Sequence, residues 1–320
     1  MRDLPICVIL DDYQNAALTV ADWTPLDGKV QLVRYDRHLG NQAAVAQALA
    51  DATIVVAMRE RTPFPASLLA QLPKLRLLIT TGARNRSIDL DAAQAQGITV
   101  CGTGSAGNPA AELAWAGLLA FLRNVPQEVA NFREGGPWQT GLGRSVQGRR
   151  LGIVGLGKLG RQMARFGQAF GMEVCGWTRT DLATRASDIG IAPVTLPELF
   201  ETSDVVTIQL ALVEETRGLI AADLLARMRP DAVLLNTSRG PIVDEAALLD
   251  ALEHKRIGGA VLDVFDQEPL PAGHPYRTLP NVLATPHIGY VTEENYRIYY
   301  RDAVDDILEW LNDTPVRVMT

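Results

Sequence analysis

The sequence predicts an α/β protein of two domains, each an open parallel sheet with helices on both faces. Short continuous apolar runs alternate with helical patterns along the chain, and strands buried on both faces of a parallel sheet read as such runs. A length of 320 residues with 47% hydrophobic content suits two cores, at roughly 100 to 200 residues per domain. A long helical stretch over 108–125 divides the runs into two sets.

The first set is "ICVIL" (6–10), "QLVRY" (31–35), "ATIVVAM" (52–58), "LRLLIT" (75–80) and "ITVCG" (98–102). Their Ile and Val content suits a pleated sheet, and segments such as "NQAAVAQALA" (41–50) supply the crossover helices. In "NPAAELAWAGLLAFLRNV" (108–125), Asn108 is placed to cap and Pro109 to open a helix leading into the second unit. That unit offers "RLGIVGLG" (150–157), "EVCGW" (173–177), "VVTIQL" (205–210), "AVLLNTS" (232–238), "GAVLDVF" (259–265) and "VLATPH" (282–287). A last helix over about 292–312 aligns Tyr296, Tyr299, Ala303, Ile307 and Trp310 or Leu311 on one face. Such a face must be buried, and a return to the first unit satisfies it. The expected domains are therefore 1–104 with 291–320, and 105–290, with a cleft between them.

Composition narrows the functional classes. The net charge is −7, with acids and bases interspersed, so no basic stripe is present to neutralise a phosphate backbone and nucleic acid is not an expected partner. No apolar run approaches the roughly 18 residues of a membrane span. The opening "MRDLPICVILDD" is a charged turn into a strand rather than a signal-type apolar segment, and a cytoplasmic protein without membrane contact is expected. Cys7, Cys101 and Cys175 are far apart and fall in or beside predicted strands. They read as core thiols, without a disulfide framework or metal-ligand spacing. No short repeat or low-complexity linker interrupts the chain.

The strongest local signal is "VGLGKLG". Gly155, Gly157 and Gly160 follow an apolar strand and open a helix, with Leu156, Lys158 and Leu159 between them. The first glycine makes the turn and the second lets backbone approach a pyrophosphate. The third lets the helix lie against the strand, so that its N-terminus faces the anion. In NAD-type sites a carboxylate about 20 residues further on accepts hydrogen bonds from the ribose and repels a phosphate. Here Thr178 stands 23 positions after Gly155, followed by Arg179 and Thr180. An uncharged residue beside a guanidinium suits a 2′-phosphate, so NADP is favoured with NAD possible. The competing reading has Arg179 solvated and Asp181 serving the ribose.

With this turn come "NTSRGPIVDEAAL" (236–248), "LDVFDQEPL" (262–270), "TPHIGY" (285–290), "ETRGLI" (215–220) and "SIDLDAAQAQGITV" (87–100). Together they resemble the D-isomer-specific 2-hydroxyacid dehydrogenases, which include glyoxylate and hydroxypyruvate reductases, D-lactate dehydrogenases and phosphoglycerate dehydrogenases. The resemblance covers nearly the whole chain. It implies a Rossmann cofactor domain inserted into a flavodoxin-like substrate domain, a homodimer formed mainly through the cofactor domains, and a small 2-oxo or 2-hydroxy acid as substrate. By the same correspondence Arg239 binds the substrate carboxylate and carbonyl, His287 exchanges the proton, and Glu268 hydrogen-bonds to His287. The chemistry agrees: reduction of a 2-oxo acid needs a proton for the carbonyl oxygen and a cation for the carboxylate. Asp263 corresponds to a position that orients the nicotinamide carboxamide, although an acid at a strand end also suits a turn. Thr237 and Ser238 are assigned to the cofactor through their backbone groups, and Thr216 is assigned to it as well. His38, His254 and His274 match no motif and read as surface residues.

The chain also departs from the family. In many relatives the carboxylate-binding loop reads Gly-x-Gly-x-Asp-Asn-Ile-Asp, whereas here it is "TTGARNRSIDL". Arg84 stands at the second glycine and Arg86 at the aspartate, while Gly82 and Ala83 keep amides available for a carboxylate. Arg84 either meets a second anionic group on the substrate or points to solvent or pairs with an acid, and Arg59, which corresponds to a substrate-cleft arginine, could do either job. Gln209 and Ala211 stand where many relatives have His and Pro. The leading expectation is an NADPH-preferring reductase of the glyoxylate or hydroxypyruvate type. Alternatives on the same scaffold are a dinucleotide-sensing corepressor-like protein and a formate or phosphite dehydrogenase, the formate type being disfavoured by Glu268.

Overall fold

The computed structural model describes residues 4–319. The chain divides into two compact units, Met1–Gly107 with Val291–Thr320, and Asn108–Tyr290. The first unit holds β1 (Ile6–Ile9), β2 (Gln31–Arg34), β3 (Ile54–Ala57), β4 (Leu77–Thr80) and β5 (Thr99–Gly102). All are parallel, in the order β2-β1-β3-β4-β5. Every residue of β3 and β4 is buried, which is why these strands read as unbroken apolar runs.

The last helix, Glu293–Leu311, returns to this unit, and Thr292 caps it by accepting from the Asn295 amide. Tyr296, Tyr299, Ala303 and Ile307 are buried as expected, but Trp310 and Leu311 are only half-buried. The same helix buries polar groups that an apolar period does not mark. Asn295 Oδ1 accepts from the Ala106 amide at 2.8 Å and Asp302 Oδ2 from the Gly104 amide at 2.8 Å. Asp306 Oδ1 accepts from Arg317 Nε at 2.9 Å. Beyond the helix, residues 317–319 pair antiparallel with β5 around Cys101 and Val318.

The second unit holds β6 (Arg150–Val154), β7 (Glu173–Trp177), β8 (Ala192–Pro193), β9 (Val205–Ile208), β10 (Val233–Asn236), β11 (Gly259–Leu262) and β12 (Val282–Ala284). They form one parallel sheet in the order β12-β11-β10-β9-β6-β7-β8. Alternate side chains fill two cores: Val206, Ile208, Leu234 and Leu262 on one face, and Val205, Leu235 and Val261 with Trp115 and Leu118 on the other. The three cysteines are buried and unpaired. No helix among the described residues is long and apolar enough to cross a membrane.

The linking segment differs from expectation in two respects. Pro109 opens the helix Pro109–Leu122, but the Asn108 side chain makes no capping hydrogen bond. After left-handed Asn124 a second helix, Val125–Arg133, follows with no buried residue, so it has no apolar stripe packed on a core to announce it.

Asp306 yields a pH prediction. Its side chain is fully buried, and burial pushes the carboxyl up to about 7 against the lowering pull of Arg317. The folded state then holds this proton more tightly than the unfolded chain, so the group's contribution is present below the ordinary carboxylate range and is lost as pH rises to about 7. Asp306→Asn should flatten the decline in urea midpoint between about pH 4 and 7 relative to the wild type. Identical slopes in the two proteins would refute this account of the carboxyl.

Candidate functional site

In the second sheet the chain runs from β6 outward to β7 and β8, then returns to lay β9 to β12 on the other side. The strand order reverses between β6 and β9, and the carboxyl ends of strands at such a reversal form a crevice for ligands. The glycine turn stands there. Gly155 has φ +108, a conformation open to glycine, and its amide donates to Trp177 O at 2.7 Å. A Cβ on Gly160 would lie 1.9 Å from Gly155 O, so helix Lys158–Ala169 can approach the strand only without a side chain there. A Cβ on Gly157 would meet nothing within 4 Å. Gly157 caps the helix without a side-chain bond, Leu156 is fully buried beneath the turn, and Leu159 packs at the edge of the core.

The surroundings fit a dinucleotide. Gln209 O would be 2.5 Å from a Cβ on Gly155, so the segment after β9 lies against the turn. Gln209 Oε1 and Thr237 Oγ1 are buried without a hydrogen-bond partner, a cost of about 1–3 kcal/mol each that a bound donor would offset. Ser238 is otherwise engaged, its Oγ donating to Ile208 O at 2.8 Å. Thr216 likewise spends its hydroxyl on its own loop, donating to Ala211 O and accepting from the Val213 amide, both at 2.8 Å. At the end of β7, Thr178 is buried, whereas Arg179 and Thr180 are exposed. Arg179 NH1 lies 3.1 Å from Glu215 Oε2, a partner that nothing in the sequence announces. Asp181 adopts left-handed φ 52 at the start of the next helix, without capping it.

Arg239, Glu268 and His287 come off the carboxyl ends of the adjacent strands β10, β11 and β12. His287 Nδ1 is 2.5 Å from Glu268 Oε2, while Glu268 Oε1 accepts from the Phe265 amide at 2.9 Å. The imidazole is partly exposed and meets Tyr290 edge-on at 5.4 Å. Arg239 NH1 donates to Ser238 O at 2.6 Å, and Asn236 Nδ2 donates to Arg239 O at 3.0 Å.

His287 has φ 53, an uncommon conformation for a non-glycine residue. Asp263 holds it there. Its Oδ1 accepts from Thr285 Oγ1 at 2.6 Å and the Ile288 amide at 2.8 Å, and its Oδ2 from the Gly289 amide at 2.8 Å. Burial pushes this carboxyl up, and the three donors pull it back. Of the two roles open to Asp263, the one visible in the structure is turn-building.

In the first unit, Arg59 follows β3 with φ 52, and its guanidinium lies over Gly82, where a Cβ would come within 1.9 Å of NH1. The expectation that Gly82 offers a free amide does not hold, because its N–H donates to Thr103 Oγ1 at 2.7 Å. Ala83 is exposed. Arg84 and Arg86 are exposed and line a cavity of about 840 Å³ with Arg317, Thr103 and Met319. Between them the buried Asn85 donates to Arg59 O at 2.7 Å and Thr80 Oγ1 at 2.9 Å. Of the histidines read as surface residues, only His254 is exposed. His38 is half-buried 3.8 Å from Asp11, and His274 is half-buried 3.4 Å from Glu245. Among the described residues no group of acids, histidines or cysteines is arranged to hold a metal.

The pattern of the "D-isomer specific 2-hydroxyacid dehydrogenase, NAD binding domain" matches residues 115–289. The chain is 33% identical over 320 residues to a D-3-phosphoglycerate dehydrogenase of Synechocystis, covering 98% of this chain and 57% of that protein. Thus it spans little more than half the length of that relative. It is 38% identical over 237 residues to a glyoxylate reductase of Aeropyrum pernix, covering 71% of this chain and 70% of that protein. A crystal structure of a Ralstonia solanacearum oxidoreductase, described as a putative D-3-phosphoglycerate dehydrogenase, superposes with a TM-score of 0.90 at 36% identity. It covers 98% of this chain and 96% of that one. A glycine turn at a strand-order reversal, two parallel sheets and a match through residues 115–289 have one common explanation: the chain belongs to the D-isomer specific 2-hydroxyacid dehydrogenase family, and its second unit is that family's NAD-binding domain.

Proposed function

We propose that the protein is an NADPH-preferring reductase of small 2-oxo acids, of the glyoxylate or hydroxypyruvate type, giving D-2-hydroxy acids. The observation that carries this reading is the His287–Glu268 pair at 2.5 Å, on strand ends adjoining Arg239 in the sheet that bears the glycine turn. The bound nicotinamide supplies the hydride for the carbonyl carbon. The chain's residues do the rest. Glu268 engages Nδ1 and so leaves Nε2 of His287 as the nitrogen that passes a proton to the developing alkoxide. The planar guanidinium of Arg239 pairs with the substrate carboxylate and polarises the adjacent carbonyl. Asp263 acts through His287 by fixing the backbone of residues 285–289. Gly155, Gly157 and the helix they open receive the pyrophosphate. Arg179 is assigned to the 2′-phosphate, and the unpartnered Thr237 and Gln209 oxygens to donors on the cofactor. In the first unit, Arg59 is the cation assigned to substrate.

We assign the protein to the cytoplasm, consistent with its buried unpaired thiols, and to a homodimer. The dimer is supported by an apolar surface in the second unit, where Val125, Val129, Phe132, Trp138 and Leu142 are all exposed. Trp138 is 81% and Leu142 97% accessible, more than scattered surface apolar residues need.

Absorbance of the reduced nicotinamide, followed with a panel of 2-oxo acids and each of NADPH and NADH, tests the activity. Turnover of glyoxylate or hydroxypyruvate is expected, faster with NADPH. Inactivity with every acid and both cofactors would favour a dinucleotide-sensing binding protein instead. His287→Asn should lower kcat about 10²- to 10⁴-fold while dinucleotide affinity stays within a factor of about two, and Glu268→Gln should lower kcat in the same direction. Retained activity in His287→Asn would remove the imidazole from the chemistry. Trp138→Asp should convert a dimer to a monomer by light scattering, and an unchanged mass would move the interface elsewhere.

A further inference from the structure

The sequence places no carboxylate at the end of β7, where an NAD-type site carries one, yet the structure brings one there from elsewhere. Glu215 lies in the short turn Glu214–Thr216, which follows β9 on the other side of the strand-order reversal. That turn is a built one: the Val213 amide donates to Thr216 Oγ1 at 2.8 Å, and Thr216 Oγ1 donates to Ala211 O at 2.8 Å. From it Glu215 Oε2 reaches to 3.1 Å from Arg179 NH1. The two sides of the crevice are thus joined by an ion pair one residue beyond the buried, uncharged Thr178.

Two cofactors would meet this pair differently. A 2′-phosphate needs the guanidinium that Glu215 already holds, and it carries negative charge toward a carboxylate a few ångströms away, so it must displace the acid and bear its repulsion. A free ribose makes no such demand. It leaves the pair intact and presents hydroxyl donors to a carboxylate that accepts, as the missing β7 acid would have done. Both side chains are largely exposed, so solvent and salt moderate the effect.

We propose that Glu215 is a cofactor-specificity residue: its pairing with Arg179 restrains the preference for the 2′-phosphorylated dinucleotide and keeps the unphosphorylated one acceptable. This rests on the reading that Arg179 faces the 2′ position. The turn Glu214–Thr216 acts as a counterweight to Arg179, so cofactor choice is set by two elements and not by the β7 end alone.

The test is direct binding by calorimetry to the intact protein, with NADP⁺ and NAD⁺ and with 2′,5′-ADP and 5′-AMP as fragments that lack the nicotinamide. Glu215→Gln, Arg179→Gln and the double variant are compared with the wild type. The expected result for Glu215→Gln is a Kd for NADP⁺ and 2′,5′-ADP about 3- to 10-fold lower, with NAD⁺ and 5′-AMP unchanged or weakened, and a smaller gain at high salt. Arg179→Gln should abolish the NADP⁺ preference, and adding Glu215→Gln to it should restore none. If Arg179→Gln removes the preference while Glu215→Gln leaves the NADP⁺ to NAD⁺ ratio of the wild type, the role of Glu215 is overturned and that of Arg179 stands. If neither variant changes the ratio, the reading of Arg179 falls as well. Both positions are exposed, and matching thermal midpoints would show that the variants fold alike.

Discussion

The carboxylate of Asp263 is the constraint on which the candidate chemistry depends. It is 2% exposed, yet it gathers Thr285 Oγ1 and the amides of Ile288 and Gly289. Burying a charge in this way is costly unless its lone pairs are filled, and here the donors come from the segment that carries His287. The reward is a left-handed backbone at His287, which an unsupported chain would hold only at a cost of about 1–2 kcal/mol. Imidazole orientation is thus fixed twice, by this clamp below and by Glu268 at Nδ1. Such double support is what a proton-transfer group needs, because small angular errors spoil hydrogen-bond alignment.

The sheet supplies the address. In a parallel sheet all strands end on the same edge, so residues distant in sequence arrive side by side: Gly155 after β6, Thr178 after β7, Gln209 after β9, Arg239 after β10 and His287 after β12. The close approach of Gly160 to Gly155 O brings the helix N-terminus to this edge. An anion there gains the open amides and the helix dipole together. Positioning is therefore a property of topology first and of individual side chains second.

Much of this was legible in the sequence because it leaves one-dimensional traces. Strands such as "IVVA" and "VLLN" are buried on both faces and stand out as apolar runs, and the glycine spacing is fixed by sterics. The Glu268–His287 pair could be anticipated because both residues lie in long family motifs. What escaped reading depends on partners remote in sequence or on polar burial. Glu215 meets Arg179 only after the sheet has folded, and Gly82 surrenders its amide to Thr103, the residue just past the next strand. Asp302 and Asp306 are buried on a helix face whose apolar period gives them no mark. The helix Val125–Arg133 buries nothing in its own unit, so no periodicity could announce it.

The loop after β4 is fastened at one buried residue and exposed on either side of it. Asn85 fastens it from within: its amide nitrogen holds Arg59 O and Thr80 Oγ1, and its oxygen receives the Ser87 amide and hydroxyl at 2.9 and 2.6 Å. Its neighbours Arg84 and Arg86 point their charge outward from that fixed turn. Exchanging the exposed Arg84 therefore leaves the hydrogen bonds of Asn85 in place and changes the charge and size at the edge of the cavity. The cavity edge is adjustable while Asn85 keeps the frame.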